Sequence, residues 1–315
     1  MKVHYSLEDL PQIRKPVLTI GTFDGVHLGH QSILNHLKQT AARIGGETVV
    51  FTFHPHPRIA LNPEDHGLEL IQMPEERFAK LERLGIDHLI LCPFDKEFSR
   101  TSATEFVRNI LVNKIHLHTL TIGYDHHFGR NREGNIQLLR ELAPVYGFHV
   151  EEIPAFIESE KSVSSTKIRE AISEGDIAEA NQLLGEVYHF GGEVVKGDQL
   201  GSKIGFPTAN IQVNKLQLMP KSGVFAVRVK RGGHYLNGMM NIGKRPTVLR
   251  NGERRVEIHL FEFAESVYGE NLVVYLIDKV RDEQSFPSLD VLTEQLKKDE
   301  TICRHILASH PQLTN

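Results

Sequence analysis

The chain has no tryptophan, and aromatic residues make up only 7% of its 315 positions. A barrel that holds single-stranded nucleic acid stacks bases on aromatic side chains along a basic stripe. No such interleaving occurs here. The net charge of −4 gives no general attraction to nucleic acid or to an anionic membrane, so neither is an expected partner. Only Cys92 and Cys303 are present, which excludes a disulfide framework and makes a reducing cytoplasm the expected setting. No stretch approaches the ~18 consecutive apolar residues of a spanning helix. Met1 to Asp9 lacks the apolar core of a signal peptide. None of these absences weighs against a phosphate ligand, for which a few backbone amides and cations suffice.

What is present is an ordinary globular mix, 40% hydrophobic and 24% charged. At roughly 100–200 residues per domain, the length suggests two domains. The eighteen histidines are mostly scattered singly and read as surface or structural.

The first half alternates short apolar runs with amphipathic stretches. Strands are expected at 17–20, 48–53, 88–91 and 120–122, and helices at 28–43, 74–84, 103–112 and 135–146. Near-continuous apolar strands alternating with helices imply a parallel sheet covered on both faces. Ligands bind such sheets at the carboxyl ends of the strands, so the loops at 21–30, 53–57 and 123–129 should share one edge. Around Gly185 the pattern changes. Short alternating segments at 192–195, 224–229, 256–260 and 272–276, separated by glycine turns, imply a small antiparallel barrel or sandwich, closed by a helix after Pro287.

Two regions carry phosphate chemistry. The first runs Gly21-Thr22-Phe23-Asp24-Gly25-Val26-His27-Leu28-Gly29-His30. A strand that ends in glycine and opens a helix offers free amides and a positive dipole end. His27 and His30 are three apart, on one face of a first helical turn, where imidazoles stabilise charge growing on an attacked phosphate. Gly29 between them leaves room for close approach. A metal pair or an incidental surface pair is the alternative, although two histidines want a third ligand. His54-Pro55-His56-Pro57 reads as a metal pair, a stiff nucleotide loop or plain structure. Ser164-Ser165-Thr166-Lys167-Ile168-Arg169 reads as a helix cap or a phosphate cradle.

The second region follows the glycines Gly197, Gly201 and Gly205: Gly205-Phe206-Pro207-Thr208-Ala209-Asn210. A hydroxyl and an amide oxygen two residues apart are hard ligands, suited to Mg²⁺ beside a polyphosphate. Glu257 lies on a predicted strand where Val256, Ile258 and Leu260 point the other way. It is either a surface glutamate or a base facing into the barrel. Gly238 to Lys244 has P-loop spacing, but Arg245 replaces the hydroxyl and Pro246 blocks the helix, so the match is chance.

Taken in order, these motifs resemble those of the prokaryotic bifunctional riboflavin kinase/FMN adenylyltransferase (FAD synthetase) family. Gly21 to His30, Phe53 to Pro57, Gly123 to Gly129 and Ser164 to Arg169 match its nucleotidyltransferase half. Gly201 to Asn210, Asn241 to Thr247, Glu257 and Arg281-Asp282-Glu283 match its kinase half. The resemblance implies a Rossmann-like nucleotidyltransferase domain over 1–185 and a small β-barrel kinase domain with a C-terminal helix over 186–315. By it, His27 and His30 contact the ATP phosphates during adenylyl transfer. Gly21, Phe23, Asp24, Gly29, His56, Asp125, Ser165, Thr166 and Arg169 line that nucleotide and flavin site. Thr208 and Asn210 hold Mg²⁺, and Glu257 is the kinase base. Gly197, Gly201, Lys203, Gly205, Pro207, Asn241 and Arg281 shape the second site. ATP, riboflavin and FMN are the implied substrates. His126 stands where the family usually has Phe, Ser162 where some relatives have Arg, and Glu262 replaces a common Asp.

Overall fold

The structure is a computed structural model that describes residues 1–64, 67–123, 126–153, 163–197, 200–244, 254–310 and 313. It divides into two compact units, Met1–Leu68 with Pro74–Ser164, and Glu69–Met73 with Ser165–Asn315. The pair of helices before the barrel therefore falls in the second unit, upstream of the change in sequence pattern at Gly185.

In the first unit, six strands form one sheet: β1 (Lys2–His4), β2 (Pro16–Ile20), β3 (Glu47–His54), β4 (His88–Pro93), β5 (Thr119–Ile122) and β6 (His149–Glu152). Their order is β1-β4-β3-β2-β5-β6, and every pairing is parallel. Neighbouring residues feed opposite cores. Val17, Val50 and Leu89 join one buried cluster with Leu34 and Leu37 of α1 (Leu28–Ile44) and Leu81. Leu18, Phe51, Ile90 and Leu120 join the other, with Val107 and Leu139. This two-sided burial is what a parallel sheet needs, and it explains the unbroken apolar strands. The order reverses at β2, which has β3 on one side and β5 on the other. The carboxyl edge there is the place such sheets leave open to a ligand.

The predicted helices are present. Besides α1 they are α3 (Pro74–Arg83), which follows the short α2 (Pro57–Leu61), and α5 (Ile136–Tyr146). The stretch expected as one helix from Ala103 is instead an α-turn, Ala103–Glu105, running into a π-helical segment, Phe106–Val112 (together α4). Ser102 and Glu105 start it with a reciprocal capping box. Strands β1 and β6 and helix α2 escaped the sequence reading because, short and without a fully buried residue, they carry no buried apolar run.

The second unit opens with α6 (Ser165–Glu174) and α7 (Ile177–Leu184). Asn181 ties α7 to the barrel. Its Nδ2 donates to the Leu276 carbonyl at 3.0 Å, and its Oδ1 accepts from the Tyr188 amide at 2.7 Å. The barrel strands are β7 (His189–Val195), β8 (Ala209–Val213), β9 (Gly223–Arg231), β10 (His234–Lys244), β11 (Arg254–Leu260) and β12 (Asn271–Asp282), with a single helical turn, α8 (Leu200–Lys203), between β7 and β8. They close in the order β10-β11-β8-β7-β12-β9, all antiparallel, which settles barrel over sandwich. Gly238 and Gly243 sit inside β10, so the P-loop spacing is indeed accidental. Strands β8 and β10 were not anticipated, because their glycines and asparagines read as loop.

A last helix, α9 (Leu289–Ser309), packs on the outer wall. Its Cys303 and Leu307 cluster with Ala226, Met239 and Ile277. Cys92 and Cys303 are free thiols, and burial pushes each up to about 12. They are therefore thiols rather than thiolates at neutral pH.

Candidate active site

Two cavities carry the sequence-predicted residues, one in each unit. The first, of about 590 Å³, opens at the carboxyl edge of the parallel sheet. Gly21–Phe23 after β2, Pro57 after β3, Phe94 after β4 and Gly123 with His126–Gly129 after β5 all line it, so the expected loops do meet at one edge.

His27 caps α1. Its Nδ1 accepts from the His30 amide at 3.3 Å. With Nδ1 an acceptor, the neutral ring carries its proton on Nε2, a donor for a phosphate oxygen. The two imidazoles stack with centroids 3.7 Å apart, and His30 leans on Phe23 at 4.9 Å. His27 is 4% exposed, while His30 lines the cavity. The space left by Gly29 is used by the protein itself: a Cβ there would lie 3.2 Å from His27 Nδ1 and 3.3 Å from the Val163 carbonyl. At Gly21 a Cβ would lie 2.9 Å from the Phe23 ring, so this glycine seats Phe23.

Other predicted members of this site have the following local settings. Asp24 is fully buried and does not line the cavity. His56 caps α2, its Nδ1 accepting from the Arg58 amide at 3.2 Å. Among the described residues no group of three His, Cys, Asp or Glu could hold a metal. Ser165 and Thr166 begin α6, and Arg169 Nε donates to the Glu69 carbonyl at 3.2 Å, all within the second unit. Asp125 and Ser162 lie outside the described residues.

The sequence reading missed an aromatic wall. Phe53, Phe94, Phe98, Phe106 and Phe128 line the cavity in edge-on contacts, for example Phe53–Phe94 at 5.3 Å and Phe98–Phe106 at 6.3 Å. A flat aromatic ligand fits such a wall. Phe94 and Phe98, four residues apart just after a strand, were the available signal.

The second cavity, of about 340 Å³, is bounded by the outer wall of the barrel, by Leu292 and Leu296 of α9, and by Gly201 to Thr208. Here the structure corrects an expectation. Glu257 does not face into the barrel. Val256, Ile258 and Leu260 fill the interior, and period-2 alternation turns Glu257 outward with Arg255 and His259. Register does the rest. Asn210 pairs with Glu257, and Glu257 with Asn241, so three polar side chains stand in one row across β8, β11 and β10.

Glycines and one proline crowd this row. A Cβ at Gly197 would lie 2.1 Å from the Asn210 amide nitrogen. One at Gly201 would lie 2.2 Å from the Phe206 carbonyl. Gly205 takes φ +85°, open to glycine at little cost. Pro207 offers its carbonyl to His259 Nδ1 at 2.8 Å. Lys203 is exposed.

Two further charged contacts were not foreseen. Arg255 Nε donates to Asn210 Oδ1 at 3.0 Å, and its Nη2 lies 3.0 Å from Glu257 Oε1. Arg281, predicted at the flavin, forks onto Asp299 at 2.7–3.0 Å. Asp299 is fully buried and also accepts from Gln295 at 2.8 Å. A bidentate pair of this kind fixes the Arg281 stem, which lines the cavity, rather than leaving it mobile.

Residues 10–167 match the family model described as FAD synthetase, and residues 184–307 the one described as riboflavin kinase. The chain belongs to the bifunctional riboflavin kinase/FMN adenylyltransferase family. It is 40% identical to the enzyme of that name from Haemophilus influenzae over 90% of this chain and 91% of that one. It is 36% identical to the one from Escherichia coli, over 96% and 97%. A solved structure described as a macrolide-efflux protein from Streptococcus pneumoniae superposes with a TM-score of 0.86 at 33% identity, covering 96% of this chain and 98% of that one. The efflux description belongs to that protein. Among the described residues here, no helix is long and apolar enough to cross a membrane.

Proposed function

We propose that the barrel unit transfers the γ-phosphoryl group of ATP to riboflavin, and the parallel-sheet unit transfers the adenylyl group of a second ATP to the resulting FMN. The observation that supports this is the row of Asn210, Glu257 and Asn241 across three strands, of which Glu257 and Asn241 line the second cavity beside apolar Phe206, Met239 and Phe286. Glu257 takes the proton of the ribityl 5′-hydroxyl as its oxygen attacks the γ-phosphorus, and ADP leaves. Met239, Phe206 and Phe286 give the flavin ring an apolar seat.

Thr208 and Asn210 would hold Mg²⁺. Their donor set fits: Thr208 just before β8 and Asn210 within it are two residues apart and share a side of the extended chain, and two neutral hard oxygens suit an ion that keeps water and phosphate ligands. When bound, the ion neutralises charge on the transferring phosphates.

In the first unit an FMN phosphate oxygen attacks the α-phosphorus and pyrophosphate leaves. His27 and His30, at the positive end of α1, stabilise the charge that builds on the α-phosphoryl oxygens. The phenylalanine wall receives the flavin. Attack at γ and at α needs different in-line geometries, hence separate sites. A reducing cytoplasm, consistent with two free buried thiols, is the proposed setting. Incubation with riboflavin and MgATP, followed by chromatography of the flavins, tests the proposal. FMN should appear first and FAD later; no FMN would refute the kinase assignment, and FMN without FAD the transferase assignment.

A further inference from the structure

Beneath the loop that carries His27 lie three buried charges that the reaction itself does not use. Asp24 is fully buried, Arg77 is 5% exposed and Lys80 is 4% exposed. Arg77 and Lys80 are one helical turn apart on α3, a spacing that puts both on one face. Arg77 Nη1 donates to the Thr22 carbonyl at 2.8 Å, and Lys80 Nζ to the Gly25 carbonyl at 3.1 Å. Burial pulls the Arg77 guanidinium down from its ordinary value, and the Asp24 carboxylate opposes that pull. The guanidinium stays charged in this buried setting, where its bond to the Thr22 carbonyl fixes it.

The backbone they grip is strained. Phe23 has φ +50° and Val26 φ +37°, conformations that side-chain-bearing residues rarely adopt, with Gly25 at +85° between them. Such strain persists only where its surroundings over-determine it. The same few residues seat Phe23 against His30 and deliver His27 to the start of α1.

The geometry points to Arg77 and Lys80 as positioning residues for adenylyl transfer. They clamp the two carbonyls that flank Asp24 and hold the strained loop in its reactive shape. This deepens the transferase assignment and rests on it. Neither residue touches the cavity, so neither is itself catalytic.

The test uses the full chain with Arg77→Met, Arg77→Lys and Lys80→Met, measuring FAD formation from supplied FMN and FMN formation from riboflavin on the same preparations. A 1 Å displacement of reacting groups costs on the order of 10²-fold. Arg77→Met should therefore lower kcat for FAD formation by about 10²-fold, with KM for FMN changed less than about threefold because the phenylalanine wall is intact. Arg77→Lys should recover to within about tenfold of wild type, since it restores a donor and a charge but not the fork. Lys80→Met should fall between these two, and riboflavin phosphorylation should be unchanged in all three. Unchanged kcat in Arg77→Met overturns the proposal. So does equal loss in the Lys and Met variants, or a fall confined to thermal stability, each of which reduces the pair to a structural role. Wild-type protein that makes no FAD from FMN would instead refute the transferase assignment.

Discussion

The two cavities present opposite materials for the nucleotide proposed at each. At the sheet edge stand a helix start and two stacked imidazoles, groups that donate hydrogen bonds. On the barrel wall stand a hydroxyl, two amides and a carboxylate, oxygen-rich groups suited in the proposal to a cation and to one proton. The difference follows from the nucleophile. A phosphate oxygen attacking phosphorus is already ionised and needs no base, whereas a ribityl hydroxyl must lose a proton. The scaffolds suit these needs. A parallel sheet ends in helix N-termini, while an antiparallel wall sets side chains of neighbouring strands in rows.

The largest effects should separate the two sites. His30→Ala is expected to lower FAD formation by about 10²–10³-fold and leave FMN formation intact. Glu257→Gln should do the reverse, lowering FMN formation by about 10²-fold while sparing FAD made from supplied FMN. Loss of both activities in either variant would break the comparison.

A smaller effect should expose the guanidinium that joins Asn210 to Glu257. On the proposed Mg²⁺ assignment, the Arg255 guanidinium, 3.0 Å from the Asn210 oxygen, repels the ion and competes for that oxygen. A charge-assisted hydrogen bond is worth about 1.5–3 kcal/mol, so Arg255→Gln should tighten MgADP binding by at least about tenfold in calorimetry. Weaker binding would put Arg255 on the nucleotide side instead.

The scaffolds should also differ in what they need. Ile177, Ala180 and Leu184 of α7 are buried, with Asn181 bonded to the barrel. A chain starting at residue 165 should phosphorylate riboflavin and melt higher than one starting at 186. Equal melting points would show that the barrel does not use these helices.

The smallest effect concerns acid. His4 Nε2 and His88 Nδ1 are 2.9 Å apart at the edge of the parallel sheet, beside Lys2, Glu47 and Asp87. Burial holds both below the ordinary 6.5, with the neighbouring imidazole adding to this at His4 and Glu47 opposing it at His88. The unfolded chain then takes up protons first, so stability present above pH 6.5 is lost as pH falls below it. Thermal inactivation of FAD formation should quicken below that pH, and His88→Asn should flatten the dependence while riboflavin phosphorylation keeps its own profile. Parallel profiles for both activities would place the acid sensitivity elsewhere.

Legibility in the sequence was uneven for physical reasons. Strands β2 to β5 were readable because burial on both faces leaves no polar interruption. Strands β8 and β10 were not, since each has one face in the barrel interior and the other in a polar site, and Asn210 and Asn241 look like loop residues. Groups that sit together in sequence, such as His27 and His30, were singled out, and their rings do stack. Those assembled from distant segments were not: Phe94 and Phe128 on one wall, and Arg281 with Asp299 across 18 positions.

By itself the sequence marked two phosphate-type motifs and the strand and helix periodicities, because these are properties of residue type and spacing, while the two chemistries were implied by the resemblance of the ordered motifs to a family. Only the tertiary structure decided which way Glu257 faces, that Asp24 lies under its loop and not in the cavity, and that Arg77 and Lys80 brace it from another helix. Pairing register and burial depend on which distant segments meet, and local spacing carries no record of that.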